Sequence, residues 1–171
     1  MKLSDSSGRY RPNQAKNLVS FLVGTVRYAV DIQLVREIVN PLPFVSLPHA
    51  PDEVIGVSDH RGEVLPIVDL RIRFGIRNPE STRRTKWIIA RTSRHATPVA
   101  LVVDEVADVF GAGPEEQRAV PELGRGEDLR GISTVYAQRG ELVFVVDAAA
   151  VSSAVERLDP QTFPPRIQES P

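Results

Sequence analysis

The sequence lacks cysteine, has few aromatic residues and has no long apolar run, and each absence excludes a class of protein. Without cysteine, a disulfide framework, a zinc–thiolate site and a cysteine nucleophile are excluded. Aromatic residues make up 6% of the chain and the formal net charge is −1, which disfavours a dedicated nucleic-acid binder. The longest apolar runs include Val99–Val103 and Leu142–Val146, far short of the ~20 residues that span a bilayer. Residues 1–16 contain no apolar signal segment, so we expect a cytoplasmic protein without membrane insertion.

Residues that often carry catalysis are present, but their spacing does not fit a catalytic or metal site. His49, His60 and His95 do not have the spacing of metal ligands on one helix or strand. The run Ser-Asp-His at 58–60 holds the residue types of a catalytic triad, but neighbouring strand residues point to opposite faces. The Gly-Arg-Gly at 124–126 lacks the Gly-Lys-Ser/Thr of a phosphate loop. We therefore expect no enzyme activity, no cofactor and no metal.

Composition divides the chain into a central domain and two tails. Residues 1–16 are polar and residues 159–171 are Pro-rich and polar, so we expect both to be disordered, because neither can bury enough apolar surface to order itself. The whole chain is 42% apolar and 25% charged, which is ordinary for a globular protein. Residues 17–158 are the expected domain.

Short segments rich in Val, Ile, Phe and Tyr dominate this domain and predict an all-β fold. The predicted strands are Leu18–Val23, Arg27–Ile32, Val35–Val39, Ile55–Asp59, Glu63–Val68, Trp87–Ala90, Val99–Val103, Val106–Phe110, Leu129–Ala137 and Leu142–Val146. A helical turn at Ala50–Val54, a short helix at Asp69–Phe74, a loop at Gly111–Asp128 and a terminal helix at Ala148–Leu158 complete the prediction. Strands without alternating long helices favour barrels or sandwiches.

Two segments of the chain repeat one pattern. Residues 61–69 read Arg-Gly-Glu, then a buried-strand pattern, then Asp, and residues 139–147 follow the same order. A Gly-apolar-Ser triplet precedes each segment, at 56–58 and 131–133, and its different spacing predicts hairpin loops that differ. We interpret the match as two related β modules, each ending in a hairpin and a helix cap. Chance recurrence of a common turn is the alternative.

Arg61 and Glu37 are candidates for a specific pair. Arg61 lies at a predicted hairpin tip beside Gly62, and Glu37 lies on a predicted strand with apolar residues on either side. A tip that folds back over this strand would pair the two side chains. Two interpretations stay open: a surface ion pair worth about 0–1 kcal/mol, or a pair that orders a partner-binding face.

A series of motifs in fixed order points to a known family. The most specific are Arg-Gly-Glu-Val-Leu-Pro-Ile-Val-Asp-Leu-Arg at 61–71 and Arg-Phe-Gly at 73–75. The weaker ones are Phe21–Gly24, Tyr28–Ile32, Val35–Val39, Leu47–Pro51, Val54–Val57, Val102–Val106 and Leu129–Ile132. Together these motifs resemble the CheW family of bacterial chemotaxis coupling proteins, over roughly residues 17–158.

The resemblance implies two intertwined SH3-like five-stranded β-barrel subdomains, with short helices and a C-terminal helix. On this basis we expect the first barrel mainly at 26–76, the second mainly at 85–147 and the helix at 148–158. The strand count and the repeated segments agree with such a fold.

The resemblance also implies a function. CheW-like proteins are non-enzymatic adaptors that couple the cytoplasmic tip of a methyl-accepting chemoreceptor to the regulatory domain of a CheA-type histidine kinase, and they are recruited to receptor arrays at the inner membrane. The paired Glu and Arg of the family fall on Glu37 and Arg61, and Val35 falls on a position linked to receptor contact. The alternative is a CheW-like scaffold in a pathway outside motility, such as development, surface behaviour or gene regulation. Neighbouring genes would distinguish the two.

The residues expected to bind the kinase or the receptor combine apolar anchors with charges that set the register. They are Val35, Glu37, Ile38, Val57, Asp59, His60, Arg61, Gly62, Leu101 and Val103. For the apolar members, core packing is the alternative, because a buried valine more often packs than binds.

The hairpin tip departs from the family pattern, which usually has Asn-Leu before Arg-Gly, whereas this chain has Asp59-His60. The simpler interpretation is a tolerated exposed substitution, and the other is an altered choice of partner through mismatched charges. Under the simpler interpretation, we expect the double variant Asp59→Asn, His60→Leu to keep the ranking of affinities across a panel of kinase and receptor fragments. A changed ranking in parallel titrations would support altered partner choice.

Overall fold

The structure is a computed structural model that describes residues 15–93, 95–120 and 131–156. The strands in these ranges are β1 (Lys16–Val23), β2 (Val26–Asp31), β3 (Val35–Val39), β4 (Val54–His60), β5 (Glu63–Asp69), β6 (Lys86–Ala90), β7 (Val99–Val103), β8 (Glu105–Ala112), β9 (Gln117–Arg118), β10 (Ile132–Gln138) and β11 (Glu141–Val146). The helices in the same ranges are α1 (Leu70–Arg73) and α2 (Ala148–Glu156), with 3₁₀ turns at Ile32–Leu34 and Pro114–Glu116. Neither α1 nor α2 has the length and apolar character that crossing a membrane requires.

The strands form two sheets, and the chain leaves the first sheet before completing it. Sheet A has the order β8-β1-β2-β11-β10-β9, and sheet B has the order β3-β6-β7-β5-β4. The chain builds β1 and β2 of sheet A, makes all of sheet B from β3 to β7, and then returns to sheet A. The prediction of an all-β fold with two intertwined β subdomains is therefore confirmed. Five strands were expected in each subdomain, but sheet A has six, because β9 pairs with β10 at its edge.

Both sheets repeat one arrangement of strands. In sheet B, the hairpin β4–β5 places β5 parallel to β7, β7 pairs antiparallel with β6, and β6 pairs with β3. In sheet A, the hairpin β10–β11 places β11 parallel to β2, β2 pairs antiparallel with β1, and β1 pairs with β8. In the two parallel pairs, Ile67 lies opposite Ala100 and Val145 lies opposite Ala29. The interpretation of two related β modules is confirmed, and one module is a circular permutation of the other.

The two related hairpins turn in the same way. Arg61 and Gly62 have φ of 54° and 81°, and Arg139 and Gly140 have φ of 49° and 80°. Two central residues with positive φ are typical of the type I′ turn, whose twist matches that of the flanking strands. Both loops therefore have two residues, and the prediction that the loops differ was wrong.

Apolar side chains form three cores. The core of sheet A consists of Leu18, Ala29, Phe110, Ala112, Tyr136, Val143 and Val145. The core of sheet B consists of Leu65, Ile67, Trp87, Ile89, Ala100 and Val102. The between-sheet core takes residues from both sheets, namely Val19, Phe21, Val23, Val30 and Val146 of sheet A and Val54, Val57, Val68, Ile88, Ala90, Val99, Leu101 and Val103 of sheet B, with Leu47, Leu70 and Val151. The between-sheet core joins the two subdomains.

The sheets divide the sequence differently from the expected barrels at 26–76 and 85–147. β2 belongs to sheet A, whereas β6 and β7 belong to sheet B. The reason is the circular permutation, which completes sheet A with strands from both ends of the domain. The expectation had assigned each barrel one continuous stretch of chain.

Several boundaries also differ from the predictions. The expected loop at 111–128 begins with the end of β8 and continues with a 3₁₀ turn and β9, while residues 121–128 lie outside the described ranges. The expected helical turn at Ala50–Val54 is a tight turn closed by a 2.8 Å bond from the Val54 amide to the Pro51 carbonyl.

Some residues of the predicted elements and tails lie outside the described ranges. Residues 129–130 of the predicted strand at 129–137, residues 157–158 of the terminal helix, and the expected tails apart from positions 15 and 16 lie outside the described residues. Within the described part, the C-terminal helix is present as α2.

Gly56 on β4 is required by a close approach of two backbones. A Cβ at this position would lie 2.2 Å from the Val45 carbonyl oxygen and 2.8 Å from Cδ2 of Phe44. The bridge between Val45 and Val57, with two backbone hydrogen bonds of 2.9 Å, holds this segment against β4.

We expect Gly56→Ala to lower the free energy of unfolding by about 2–3 kcal/mol, because the added methyl group forces the segments apart. Urea unfolding followed by circular dichroism measures this change. Thr134→Ala, at the equivalent position of β10, is the matched control. A loss for Gly56→Ala no larger than that of the control would contradict the prediction.

Candidate partner-binding site on sheet B

Sheet B closes on itself through side chains and one backbone bridge. Its order places β3 and β4 at opposite edges. Yet Oε1 of Glu37 on β3 lies 2.9 Å from Nη2 of Arg61, and Oε2 lies 3.0 Å from Nε2 of His60 at the end of β4. The segment between the two strands also pairs with β4 at the bridge between Val45 and Val57. These contacts curl the five strands into a barrel.

The predicted pair of Glu37 and Arg61 is present, and His60 is added to it. The two carboxylate oxygens of Glu37 have different partners, so the side chain is held at both. The His60 side chain is only 13% exposed, whereas that of Arg61 is 68% exposed. The expectation that His60 is an exposed substitution is therefore wrong, because the ring packs toward β3. Asp59 accepts a hydrogen bond of 2.9 Å from the Gly62 amide and so fixes the turn.

A second set of ion pairs links β3 to the same hairpin. Nη1 of Arg36 lies 2.6 Å from Oε2 of Glu63, and Nη2 of Arg91 lies 3.5 Å from Oε1 of the same side chain. Glu63 begins β5, so the hairpin is attached to β3 on both sides of its turn. This double attachment holds the hairpin tip, residues 59–63, in one position.

The charges of this cluster lower the pKa of both carboxyl groups. For Glu37, the His60 hydrogen bond has the largest effect, and the charges of Arg61, His60 and Arg36 act in the same direction, whereas burial raises the pKa. For Glu63, the Arg36 hydrogen bond lowers the pKa most and outweighs the opposing effect of burial. Both carboxylates therefore stay ionised below the pH at which an ordinary glutamate becomes protonated.

Sheet A also has ion pairs that link its edge strand β8 to its hairpin, with a different arrangement of charges. Asp108 on β8 occupies the position that Glu37 has on β3, and Glu141 occupies the position of Glu63. Arg27 joins them, with Nη1 at 3.4 Å from Asp108 and Nε at 3.2 Å from Glu141. An acidic residue on the edge strand, paired toward the hairpin, is thus a structural feature of both barrels.

The residues predicted to bind a partner fall into a surface group and a core group. Asp59, Arg61 and Gly62 are exposed at the hairpin tip, and Ile38 is exposed on β3. Val35 is partly buried against the between-sheet core.

The core group consists of Val57, Leu101 and Val103, which are buried in the between-sheet core. Their side chains are therefore not presented to a partner at the surface of this chain. These three residues pack in the core, as the alternative interpretation expected.

Sequence reasoning missed most of the exposed apolar surface of sheet B. Val45 is 61% exposed and Val64 is 54% exposed, and Phe44 and Ile38 are also exposed. These four residues are called the apolar rim. Val64 could have been found, because it alternates with the buried Leu65 and lies opposite Asp59 across the hairpin. Phe44 and Val45 lie in an irregular Pro-rich segment without a periodic signal.

The fold and this site define the class of protein: a double β-barrel with an ion-paired hairpin tip and an exposed apolar rim on one of its two sheets. A family model described as CheW-like domain matches residues 17–156. The chain belongs to the CheW-like domain family.

Named relatives agree with this assignment. The chain is 32% identical to "Chemotaxis protein CheW" of Rhizobium meliloti, over 89% of this chain and 97% of the relative. It is 30% identical to "Probable chemotaxis protein CheW" of Rhizobium etli, over 82% of this chain and 90% of the relative. The crystal structure of the scaffolding protein TtCheW from Thermoanaerobacter tengcongensis has the same fold, with a TM-score of 0.70 at 22% identity, over 78% of this chain and 89% of that chain.

The ion pairs of Glu37 predict a pH dependence of stability. Because its pKa is lower in the folded protein than the ordinary value of 4.5, the pairs stabilise the fold above that pH. The stabilisation is lost as the pH falls through the lowered pKa. We expect Glu37→Gln to lower the melting temperature slightly at pH 7 and to approach the wild type as the pH falls below 4.5, measured by differential scanning calorimetry over a series of pH values.

The control for this experiment is Asp52→Asn, because Asp52 is exposed and has no ion pair within the described part of the chain. It should match the wild type across the series. A difference between Glu37→Gln and the wild type that does not shrink anywhere in the series as the pH falls below 4.5 would rule out the assigned pairing.

Proposed function

We propose that this protein is a non-enzymatic adaptor that couples the cytoplasmic tip of a chemoreceptor to the regulatory domain of a CheA-type histidine kinase. The observation that carries the proposal is the family match over residues 17–156, which includes both barrels and the hairpin tip. The relatives named as chemotaxis proteins match over most of their own length, which supports the same role. On this proposal the protein acts in the cytoplasm and is recruited to receptor arrays.

The kinase face of the adaptor is the hairpin tip with the apolar rim. Ile38, Phe44, Val45 and Val64 supply exposed apolar area, and such area is the main source of binding free energy at interfaces. Arg61 lies at the tip of the hairpin that carries Val64, with most of its side chain exposed, and arginine is enriched among the residues that dominate binding energy. The ion pairs of Glu37 and Glu63 hold the tip before binding, which reduces the ordering cost of association.

The test is calorimetric titration of the full chain with the regulatory domain of the kinase encoded nearest to its gene. We expect binding with a negative heat-capacity change, because apolar surface is buried. Arg61→Ala should weaken the affinity by about tenfold, as expected for an arginine at the centre of an interface. The loss should come mainly from faster dissociation.

Arg139→Ala is the matched control, because Arg139 occupies the same turn position of the related hairpin on sheet A and is also exposed. It should bind the kinase domain as the wild type does. Equal weakening by both substitutions would contradict the placement of the kinase face on sheet B. No binding to any CheA-type kinase of the same cell would contradict the coupling function.

A further inference from the structure

Asp104 stands at the point where the chain passes from one sheet to the other. It is the single residue between β7, the last strand of sheet B, and β8, which belongs to sheet A. Its amide donates a hydrogen bond of 3.0 Å to the Leu22 carbonyl on β1. Its Oδ2 accepts one of 2.7 Å from the amide of Gly24, in the β1–β2 turn. Asp104 is therefore anchored to sheet A.

The other carboxylate oxygen of Asp104 faces a buried arginine of the sheet B subdomain. Oδ1 lies 3.6 Å from Nη1 of Arg71, whose side chain is only 4% exposed. Arg71 is held by Asp69 through two hydrogen bonds, of 3.0 Å from Nε and 2.9 Å from Nη2, and Nη1 donates to the Glu80 carbonyl at 3.1 Å. One carboxylate thus contacts the backbone of one subdomain and a fixed guanidinium of the other.

The repeated module provides an internal comparison for this contact. By the register of the related strands, Gln33 occupies the position of Asp104 where the chain passes from sheet A to sheet B. Ala149, the second residue after the capping Asp147, occupies the position of Arg71. Neither Gln33 nor Ala149 is charged, so the crossing from sheet A to sheet B lacks the ion pair. A barrel of this kind therefore forms without the contact, which of the two crossings only the one from sheet B to sheet A has.

An ion pair at a subdomain junction gives the contact a preferred direction, which apolar packing does not. The between-sheet core attracts the two sheets without a preferred direction, because hydrophobic burial depends on area. A contact between charged groups that other hydrogen bonds hold in place has a defined geometry, and here the guanidinium of Arg71 is buried while the Asp104 side chain is 32% exposed. Polar groups at such contacts are best attested as devices that fix register. We propose that Asp104 is a positioning residue that fixes the orientation of the two β subdomains through Arg71 and Gly24, and with it the geometry in which the adaptor holds its two partners.

The part of this proposal that concerns partners rests on the proposed function, whereas the part that concerns orientation does not. On that function the adaptor must hold a kinase domain and a receptor tip together, and Asp104 lies at the junction of the two subdomains of the chain that binds them. A fixed orientation allows one bound partner to change the affinity for the other. The experiment therefore measures orientation and binding separately.

Orientation is measured by pulsed electron paramagnetic resonance between two spin labels. Since the chain has no cysteine, Ser46→Cys and Ser133→Cys introduce the two labelling sites, one next to β4 and one on β10, both exposed. We expect one narrow distance distribution in this background. Asp104→Asn should broaden or shift it, since the amide oxygen still accepts from Gly24 while the charge facing Arg71 is lost.

Two further variants separate orientation from stability. Val143→Ala creates a cavity in the core of sheet A, so it lowers stability without touching the junction, and the distribution should stay narrow. Arg71→Lys keeps the positive charge and should disturb the distribution less than Arg71→Gln. An unchanged distribution in Asp104→Asn, or equal broadening by Val143→Ala, would overturn the proposal.

Binding is measured in the unlabelled chain with the kinase regulatory domain and a receptor-tip fragment. In the wild type, we expect a saturating receptor tip to change the kinase affinity by about fivefold or more. Asp104→Asn should bind each partner alone as the wild type does but reduce this factor to less than about twofold. A retained factor would refute the role of Asp104 in coupling. If the wild type binds neither partner, the proposed function fails, and the distance distributions still decide the orientation.

Discussion

Burial of two sheet faces against each other is the constraint on which the rest of this structure depends. The between-sheet core draws on strands of both sheets, and on helix residues that follow their hairpins. As a result, β7 is buried on both sides, with Leu101 and Val103 in the between-sheet core and Ala100 and Val102 in the core of sheet B. The hairpin tip and the apolar rim lie outside this core and remain exposed at the surface of sheet B.

The same constraint explains which site residues the sequence could predict. Glu37 and Arg61 were found because the resemblance located them and a hairpin tip can reach an edge strand. For Leu101 and Val103 the sequence left partner binding and core packing open, because a strand buried on both faces is one apolar run, with no alternation to show where each side chain points. His60 was taken as exposed because its hydrogen bond to Glu37 depends on the closure of the barrel, and no local pattern encodes that closure. Phe44 and Val45 are exposed because the segment that carries them pairs with β4, which the sequence does not reveal.

The fold was more predictable than the division of the chain between the sheets. Most strands and the terminal helix follow from local composition, and the repeated Arg-Gly-Glu segments predict the two related hairpins. The assignment of strands to sheets depends on pairing between distant residues, such as the parallel contact of β2 with β11. The local sequence shows no pattern that indicates such pairs. Each barrel was therefore expected to consist mainly of one continuous stretch of chain, which holds for sheet B with other bounds but not for sheet A, whose strands come from both ends of the domain.

The permuted order of strands also has a consequence for the nascent chain. Sheet B is built from the continuous stretch between β3 and β7, so all its strands are available once that stretch has left the ribosome. Sheet A begins with β1 and β2 but obtains the neighbours of these strands, β8 and then β11, only after the strands of sheet B have been made. Since domains fold as their parts emerge and distant pairings form slowly, the first hairpin has two unpaired edges until β8 emerges and one until β11 emerges. Those edges make the N-terminal hairpin the segment of the nascent chain most in need of protection from other chains.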